Sequence, residues 1–309
     1  MMIRFGNSVV GLLSWAGVKS RASRAGQGLW NLSFASLDEC RLQLEAHAEE
    51  LRERRQFEQQ LEESLGVLEE SVFAGQCWVC SRKQAFLYDR RYSDGVHVNW
   101  RERLVCPRCG LNNRLRLCVQ VIERMAPRGA SIYLTEQVTP LAACLTRRYE
   151  RLEKSEYLGD GFTSGNVDAR GIRHEDVTAL SYGDRSFDCV LSFDVLEHVP
   201  DYRAALAEFG RVLKDSGSLI LSAPFGLLSE KNVVRARISA DGSVEHLLAP
   251  EYHGDPVDPQ GGILCYYHFG WELLEDMQAA GFREARIDAY WSREYGHIGG
   301  EQLVVVATK

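Results

Sequence analysis

Long apolar runs are absent from the 309-residue sequence, and no segment reaches the roughly 20 residues that a membrane-spanning helix needs. Residues 9–18 are apolar enough to resemble the core of a secretion signal, but they lack a strongly basic start and a clear small-residue cleavage site. A basic excess is also lacking, because 36 lysines and arginines face 43 aspartates and glutamates, which gives a formal net charge of −7. These absences argue against a membrane protein and against a general nucleic-acid-binding protein.

The cysteine pattern argues against a disulfide framework. The chain has nine cysteines, an odd number, and four of them form two C-x-x-C pairs: Cys77, Cys80, Cys106 and Cys109. In a chain without a convincing export signal, this usage favours reduced thiols and a bound metal over disulfides. The sequence therefore predicts a cytoplasmic globular protein, with 45% hydrophobic residues to build its core.

The two cysteine pairs lie in a segment, 75–125, that we interpret as a zinc-ribbon-like module and a linking helix. Each C-x-x-C turn presents two thiolates to one centre with little strain, which suits a tetrahedral zinc ion. Four sulfur ligands leave no open position for chemistry, so this zinc would be structural. The alternatives are a redox-active cysteine pair and unliganded core cysteines.

Three arginines in or next to the second cysteine pair raise the question of phosphate binding: Arg108, Arg114 and Arg116. Arginines that flank a ribbon are more often ion-paired or solvated than bound to nucleic acid. The acidic charge of the whole chain points the same way. Nucleic acid is therefore not the expected partner.

The N-terminal part divides into two predicted segments. Residues 1–35 show no sustained period and are expected to be poorly ordered. Residues 36–74 are predicted to form an amphipathic helical arm, because Ser36 fits the start of a capping box. Leucines then repeat every seven residues: Leu37, Leu44 and Leu51. The arm either packs on the main domain or forms a homodimer through these helices, although the seam is short for a self-sufficient coiled coil.

Residues 187–225 have the pattern of a strand–helix–strand unit. The apolar run FDCVLSF is typical of a strand buried in a parallel sheet. Asp201 can cap a helix whose apolar residues recur at helical spacing, and residues 215–217 turn the chain into a second strand, LILS. In a parallel sheet such a unit almost always crosses over right-handed.

The motifs within this unit resemble those of a known family. DVLEHV, the run AL-x-E-x-x-RVLK and a strand ending in SAP closely resemble the second half of class I S-adenosylmethionine (SAM)-dependent methyltransferases of the type 11-like group. CPRCG-x-NNRLR resembles the front of a subgroup in which paired cysteines precede the SAM domain. The resemblance implies SAM as cofactor and an α/β domain over 126–309, with a Rossmann-like, doubly wound, mostly parallel seven-stranded sheet.

The turn after the predicted first strand departs from that family. The family's turn is glycine-rich, whereas residues 136–140 read EQVTP and contain no glycine. One interpretation keeps SAM in a reshaped loop, in which Glu136 replaces the usual acidic group. The other makes the domain a degenerate relative that binds a different ligand or none.

The resemblance also implies further cofactor contacts by position. Glu156, or Asp160 if the strand ends one turn later, would accept hydrogen bonds from the ribose hydroxyls. Asp176 would accept a bond from the adenine amino group, with the Val177 backbone NH against the ring. The alternative is that Asp176 only caps a turn. Three residues at the end of the fourth strand would face the methionine part of SAM: Ser192, Phe193 and Asp194.

The segment 226–268 is too long and too aromatic for a simple connection, so we expect it to be a lid that covers the active site. His253 is the predicted general base, because imidazole titrates in the useful range and Asp255 is near enough in sequence to orient it. Three other side chains are weaker candidates: Tyr252, His268 and His198. The alternative for His253 is a turn residue bonded to backbone.

Taken together, these patterns predict an enzyme that transfers the SAM methyl group to a small-molecule or sugar-containing acceptor at oxygen, nitrogen or carbon. The Asn-Pro-Pro-Tyr-like signature of amide or adenine methylation is absent, because the fourth strand ends in SFDV. The competing hypothesis is a non-catalytic module that binds a partner protein or RNA through the ribbon and the helical arm. The glycine-free turn is the best support for that alternative.

Overall fold

The computed structural model describes residues 28–66, 68–93, 95–257 and 260–309. The expectation of poor order for residues 1–27 lies outside this part of the chain. For Trp30–Phe34 the expectation is wrong, because these residues form an edge strand of the main sheet. Their partner strand comes from the far end of the chain, so no local pattern indicates the pairing.

The N-terminal third holds these elements in chain order: β1 (Trp30–Phe34), α1 (Leu37–Ala46), α2 (Ala48–Leu65), β2 (Glu70–Cys77), β3 (Arg82–Asp89), α3 (Trp100–Arg103) and α4 (Asn113–Met125). The middle third follows: β4 (Ile132–Leu134), α5 (Pro140–Thr146), β5 (Leu152–Lys154), β6 (Phe187–Phe193), a 3-10 turn (Leu196–His198), α6 (Tyr202–Val212) and β7 (Leu213–Ser222). The helices in the described ranges are all too short or too polar to cross a membrane.

The last third begins with six short strands and ends with a helix and two long strands. These elements are β8 (Val233–Val234), β9 (Ala236–Ile238), β10 (Val244–His246), β11 (Tyr252–His253), β12 (Ile263–Leu264), β13 (Tyr267–His268), α7 (Glu272–Ala279), β14 (Glu284–Ser292) and β15 (His297–Thr308). The predicted lid is therefore built of small antiparallel pairs: β9 with β10, β11 with β12, and β8 with β13.

A seven-stranded sheet in the order β1-β14-β15-β7-β6-β4-β5 forms the centre of the molecule. Strands β5, β4, β6 and β7 pair in parallel, whereas β7, β15, β14 and β1 pair antiparallel. Five strands thus run in one direction, and β15 and β1 run against them. Buried residues of α6 and α7 cover one face, and those of α4 and α5 cover the other. The predicted doubly wound, seven-stranded fold is confirmed.

The strand–helix–strand unit forms where the sequence predicts it, with one difference in the turn. Asp201 caps α6 by accepting a hydrogen bond from the Ala204 amide at 3.1 Å. Residues 215–217, where the sequence predicts a turn, lie within β7, and Ser216 there adopts a left-handed backbone with φ of 63°. Gly217 is required for a different reason, because a β-carbon there would lie 2.9 Å from the Lys214 carbonyl oxygen.

The helical arm packs on its own chain. Leu51 and Leu65 of α2 are buried, and the side chain of Glu58 accepts hydrogen bonds from the Gly299 and Gly300 amides at 2.7 and 3.0 Å. The indole of Trp291 donates to the same carboxylate at 2.8 Å. In the described residues, the interpretation that the arm packs on the main domain is therefore the one that the contacts support.

The cysteine-bearing module is joined to the start of β15 by a buried interface. Gly299 has φ of 93°, and a β-carbon at this position would lie 2.0 Å from Trp100 of α3. Arg116 of α4 is fully buried and donates hydrogen bonds to the carbonyl oxygens of Tyr295 and Gly296. Arg116 therefore serves the interface and is not exposed to a phosphate backbone.

Candidate active site

The carboxyl ends of β4, β5 and β6 meet at one edge of the sheet, because these strands are parallel neighbours. Open α/β sheets bind their ligands at this edge. Glu136, Glu156 and Asp194 follow the three strand ends, so local sequence and topology together gather three carboxylates there. Three of the predicted cofactor residues thus follow strand ends at this one edge of the sheet.

Glu136 is buried at the end of β4, and its Oε1 atom has no hydrogen-bond partner among the described residues. Burial raises the pKa of this carboxyl to about 7, despite the opposing effects of Thr139 and Arg114. A buried acceptor without a donor is costly unless a ligand supplies one. Glu136 therefore fits a ligand that carries hydrogen-bond donors.

Glu156 holds the glycine-free turn in place. Its Oε1 atom accepts hydrogen bonds from the Gln137 and Val138 amides at 2.7 and 2.9 Å. Burial raises the pKa of this carboxyl, and Asp255 of the lid also acts to raise it. The lid therefore lies close to the edge of the sheet where the cofactor residues were predicted. Asp160, the alternative to Glu156, accepts a short hydrogen bond from the hydroxyl of exposed Tyr157.

Asp176 lies in a turn, as the alternative interpretation expects. Its Oδ1 atom accepts hydrogen bonds from the amide and the hydroxyl of Thr178 at 2.8 and 2.7 Å. This Asx turn uses one carboxylate oxygen and is compatible with a second role for the other. Val177 is partly buried and packs against the hydrophobic cluster under α6.

The three residues at the end of β6 have different surroundings. Ser192 is fully buried, and its hydroxyl accepts a hydrogen bond from the Thr135 hydroxyl at 3.2 Å. Phe193 is buried in the hydrophobic cluster that includes α4 and α5. Asp194 adopts a left-handed backbone, with φ of 53°, which is uncommon for a residue other than glycine. Of these three residues, Asp194 thus has the unusual backbone, and its carboxylate is also ion-paired.

Asp194 is bound by two arginines of the cysteine-bearing module. Arg101 Nη2 lies 2.6 and 2.7 Å from the two carboxylate oxygens, and Arg114 Nη1 lies 3.1 Å from Oδ2. Ser222 donates a further hydrogen bond at 2.8 Å. Burial by itself would raise the pKa of Asp194, but the two guanidinium groups outweigh it and hold the pKa well below its usual range. Sequence reasoning missed this ion-pair network, since its members are about 80 to 90 positions apart.

The lid brings one of its histidines, His253, to the end of β6. His253 of β11 lies next to Glu197 and His198, and the two imidazole rings meet edge to face with centroids 4.9 Å apart. The Tyr266 amide donates to the Glu197 carbonyl oxygen at 2.7 Å, which ties the lid to the 3-10 turn. His253 Nε2 lies 3.0 Å from Glu251 Oε1, and His268 Nε2 lies 3.1 Å from the same oxygen.

The predicted partner of His253 is wrong, because the carboxylates that contact the ring are Glu197 and Glu251 rather than Asp255. Interaction with Glu197 raises the pKa of His253, against the lowering effect of burial, and Glu251 adds to the increase. Tyr252, a weaker candidate, is exposed, with 58% of its surface accessible. Glu197 lies in the DVLEHV motif, but nothing in the sequence connects it or Glu251 to His253.

The four cysteines of the two C-x-x-C pairs converge as predicted. All four sulfur atoms lie within 4.8 Å of one another, with Cys77 and Cys109 at 3.9 Å and Cys80 and Cys106 at 3.8 Å. Zinc–sulfur bonds of about 2.3 Å in a tetrahedron would place sulfurs about 3.8 Å apart. The chemistry and the spacing of these ligands therefore fit a zinc ion.

Residues 119–221 match a family model described as a methyltransferase domain. This stretch runs from α4 through β7 and contains every strand of the parallel half of the sheet. The matched residues therefore have the sequence pattern of a methyltransferase domain, over about a third of the chain. No curated protein matches the chain.

Several solved structures resemble the chain at low identity. A SAM-dependent methyltransferase from Mesorhizobium loti is 15% identical, with 62% of this chain and 96% of that chain covered and a TM-score of 0.39. The 1,6-didemethyltoxoflavin-N1-methyltransferase of Burkholderia thailandensis is 19% identical, with 63% and 77% covered and a TM-score of 0.36. A Haloferax volcanii methyltransferase in complex with the activator Trm112 is 16% identical, with 62% and 87% covered and a TM-score of 0.39. These likenesses carry no argument about substrate or partner.

Proposed function

We propose that the protein transfers a methyl group from SAM to a small-molecule or sugar-containing acceptor, at oxygen, nitrogen or carbon. The observation that carries the proposal is the position of the lid, which brings His253 beside Glu197, just after the carboxyl end of β6. Methyl transfer needs an oriented acceptor and a group that removes the acceptor's proton. A lid with titratable side chains at the carboxyl ends of the parallel strands can provide both.

The residues at the strand ends fit the donor groups of SAM. Glu156, or Asp160, would accept bonds from the ribose hydroxyls, and Asp176 would accept one from the adenine amino group. The unpartnered oxygen of Glu136 suits a further donor, because that oxygen is buried without one. Ser192, Phe193 and Asp194 would line the methionine end. When bound, SAM supplies an electrophilic methyl group on a sulfonium.

The cofactor assignment is tested by calorimetric titration with SAM and with S-adenosylhomocysteine. We expect micromolar binding, about −8 kcal/mol, and a loss of binding in Glu156→Ala and Asp176→Ala. Glu153→Ala is the matched control. Glu153 is an exposed glutamate in β5, the strand that leads to Glu156. Binding that survives both site variants would refute the assignment.

His253 is the residue that we propose to act on the acceptor, with His268, His198 and Tyr252 as weaker candidates. His253→Ala should leave SAM affinity intact and lower turnover by at least about 100-fold, the usual effect of losing a proton-transfer group. His246→Ala is the control, since His246 is an exposed lid histidine outside the cluster. Turnover of a panel of hydroxyl- and amine-bearing metabolites is the measurement, and equal loss in both variants would contradict the role.

We also propose that the four cysteines hold a structural zinc ion. The cytoplasmic location and a homodimer through the N-terminal helices remain predictions. The match to a methyltransferase domain favours the enzyme over the non-catalytic alternative. A well-folded sample that binds neither SAM nor S-adenosylhomocysteine would restore the binding-module hypothesis, and partners of the ribbon and arm would then be sought.

A further inference from the structure

We infer that Glu197, His198 and His253 form a binding site for one divalent transition-metal ion, separate from the cysteine cluster. One ligand atom from each of the three residues lies within 4.8 Å of the other two. Two histidines and one carboxylate are a common ligand set for Fe²⁺, and imidazole and carboxylate ligands also suit Zn²⁺, Co²⁺ and Mn²⁺.

Glu197 is the first observation that points to a ligand. The residue is fully buried, and neither oxygen of its carboxylate has a hydrogen-bond partner among the described residues. Oε1 lies 3.6 Å from His253 Nδ1 and 3.8 Å from His198 Nε2. A buried carboxylate without hydrogen bonds is costly, and a bound cation would remove that cost.

The second observation concerns the protons on the two histidines. His198 Nδ1 lies 2.8 Å from the Leu264 carbonyl oxygen, which can only accept, so Nδ1 carries the proton. His253 Nε2 lies 3.0 Å from Glu251 Oε1, so Nε2 donates to that carboxylate. When each ring is neutral, its remaining nitrogen has a lone pair on the side of Glu197. Three electron-rich atoms therefore converge on one point.

These outer contacts are the ones that metal-binding histidines make. Such a histidine usually donates its other NH to a backbone carbonyl or a carboxylate, which fixes the ring and its tautomer. Leu264 serves His198 in this way and Glu251 serves His253, and Glu251 is itself held by Arg235 at 3.1 Å. The ring orientations are therefore fixed before any ion binds.

The spacing fits an ion better than a direct hydrogen bond. A protonated His253 would donate to Glu197, but 3.6 Å is too long for a good N–H···O bond. Metal bonds of about 2.0–2.2 Å at tetrahedral angles place ligand atoms about 3.3–3.6 Å apart. The observed distances of 3.6 and 3.8 Å need only a small contraction.

Three protein ligands leave at least one coordination position open. The His253 side chain is 32% exposed, so the open position can face the acceptor. A hydroxyl of the acceptor bound there would have a lowered pKa and would release its proton to solvent, so with the ion bound His253 would act as a ligand and not as the proton acceptor. Its oxygen would then form the new O–CH₃ bond as the S–CH₃ bond of the sulfonium breaks. This consequence deepens the methyl-transfer proposal and rests on it, whereas ion binding does not.

The test is a titration with Co²⁺ of the full-length protein already loaded with one equivalent of Zn²⁺. We expect a further equivalent of Co²⁺ to bind, with visible d–d bands but no thiolate charge-transfer band. Glu197→Gln and His253→Ala should each weaken this binding at least tenfold, and Glu251→Gln should weaken it about tenfold by removing the charge that orients His253. Glu245→Gln, which removes an exposed lid carboxylate, is the control.

Several outcomes would overturn the inference. These are no further Co²⁺ in the wild-type protein, thiolate charge-transfer bands alone, or binding that persists in Glu197→Gln. SAM titration of the same samples separates the two proposals. Bound SAM without bound Co²⁺ refutes the ion site alone, and bound Co²⁺ without bound SAM refutes the methyl-transfer proposal alone. Circular dichroism of each variant checks that it is folded.

Discussion

Two clusters in this molecule gather side chains that can bind a metal, and they differ in almost every other respect. The cysteine cluster consists of two short turns, each with two sulfurs, inside a module with its own hydrophobic core. The histidine cluster joins the 3-10 turn after β6 to a lid strand more than 50 residues later. The first is closed by four like ligands, and the second has mixed ligands and a partly exposed histidine.

The difference shows what each cluster can do. Four thiolates complete a tetrahedron, so the cysteine cluster can stabilise the module but cannot bind an acceptor. Glu197, His198 and His253 leave a position open and lie where the lid meets the cofactor edge. The two clusters are also connected, since Arg101 and Arg114 reach from the cysteine-bearing module to Asp194 at the end of β6. The cysteine-bearing module therefore holds the Asp194 carboxylate in place at the end of β6.

The largest expected effect tests the closed cluster. Cys106→Ala should lower the free energy of unfolding by more than about 4 kcal/mol, because the loss of one ligand releases a structural zinc ion. Cys118→Ala, at a buried cysteine outside the cluster, should cost only about 1 kcal/mol. Urea unfolding at fixed zinc, with zinc content measured in parallel, is the assay. Equal costs would mean that the cluster holds no structural ion.

A second variant tests the connection between the two regions. Arg114→Ala should cost about 3 kcal/mol, because Asp194 would stay buried with one guanidinium partner fewer. Arg237→Ala removes an exposed ion pair in the lid and should cost less than about 1 kcal/mol. Both values come from urea unfolding. A cost at Arg114 no greater than the cost at Arg237 would show that the module does not support Asp194 energetically.

Glu136 offers a third test, because it, like Glu197, has a buried carboxylate oxygen without a hydrogen-bond partner among the described residues. Burial raises the pKa of Glu136 from the ordinary 4.5 of a glutamate to about 7, so the folded protein holds this proton more tightly than the unfolded chain does. The stability from this proton is present below about pH 4.5 and is lost as pH rises through about 7. Wild type should therefore lose about 2 kcal/mol relative to Glu136→Gln between pH 5 and pH 8.

The measurement for Glu136 is the difference in unfolding free energy between wild type and variant at the two pH values, without SAM. Other titrating groups cancel in that difference. Glu153→Gln is the control and should show no pH-dependent difference, because Glu153 is exposed. A difference for Glu136→Gln that does not change with pH would contradict the raised pKa.

The smallest expected effect tests the open cluster. Glu197→Gln, measured without Co²⁺, should change the free energy of unfolding by no more than about 1 kcal/mol, and in the stabilising direction if at all. The reason is that the substitution removes a buried charge whose oxygens have no hydrogen bonds. A large loss of stability would show instead that Glu197 is a structural residue, and the contrast between the two clusters would fail.

Much of the fold follows from local patterns. The strand–helix–strand unit is recognisable in residues 187–225 because burial in a parallel sheet and helical spacing both act over a few residues. The same is true of the cap at Asp201 and of the cysteine pairs, whose ligands sit on single turns. Residue types and short spacings determine such features, since the groups that interact are neighbours in sequence.

The rest was decided by tertiary structure. Trp30–Phe34 became a strand only because β14 offers it a free edge more than 250 residues away. His253 faces Glu197 and Glu251 rather than Asp255, because the pairing of β11 with β12 and the bond from Tyr266 to Glu197 set the direction of the lid. The sequence by itself determined the strand–helix–strand unit and the cysteine turns, because the residues that interact there are neighbours in the chain. Which distant side chains meet was determined by sheet pairing and burial, whose partners no local spacing specifies.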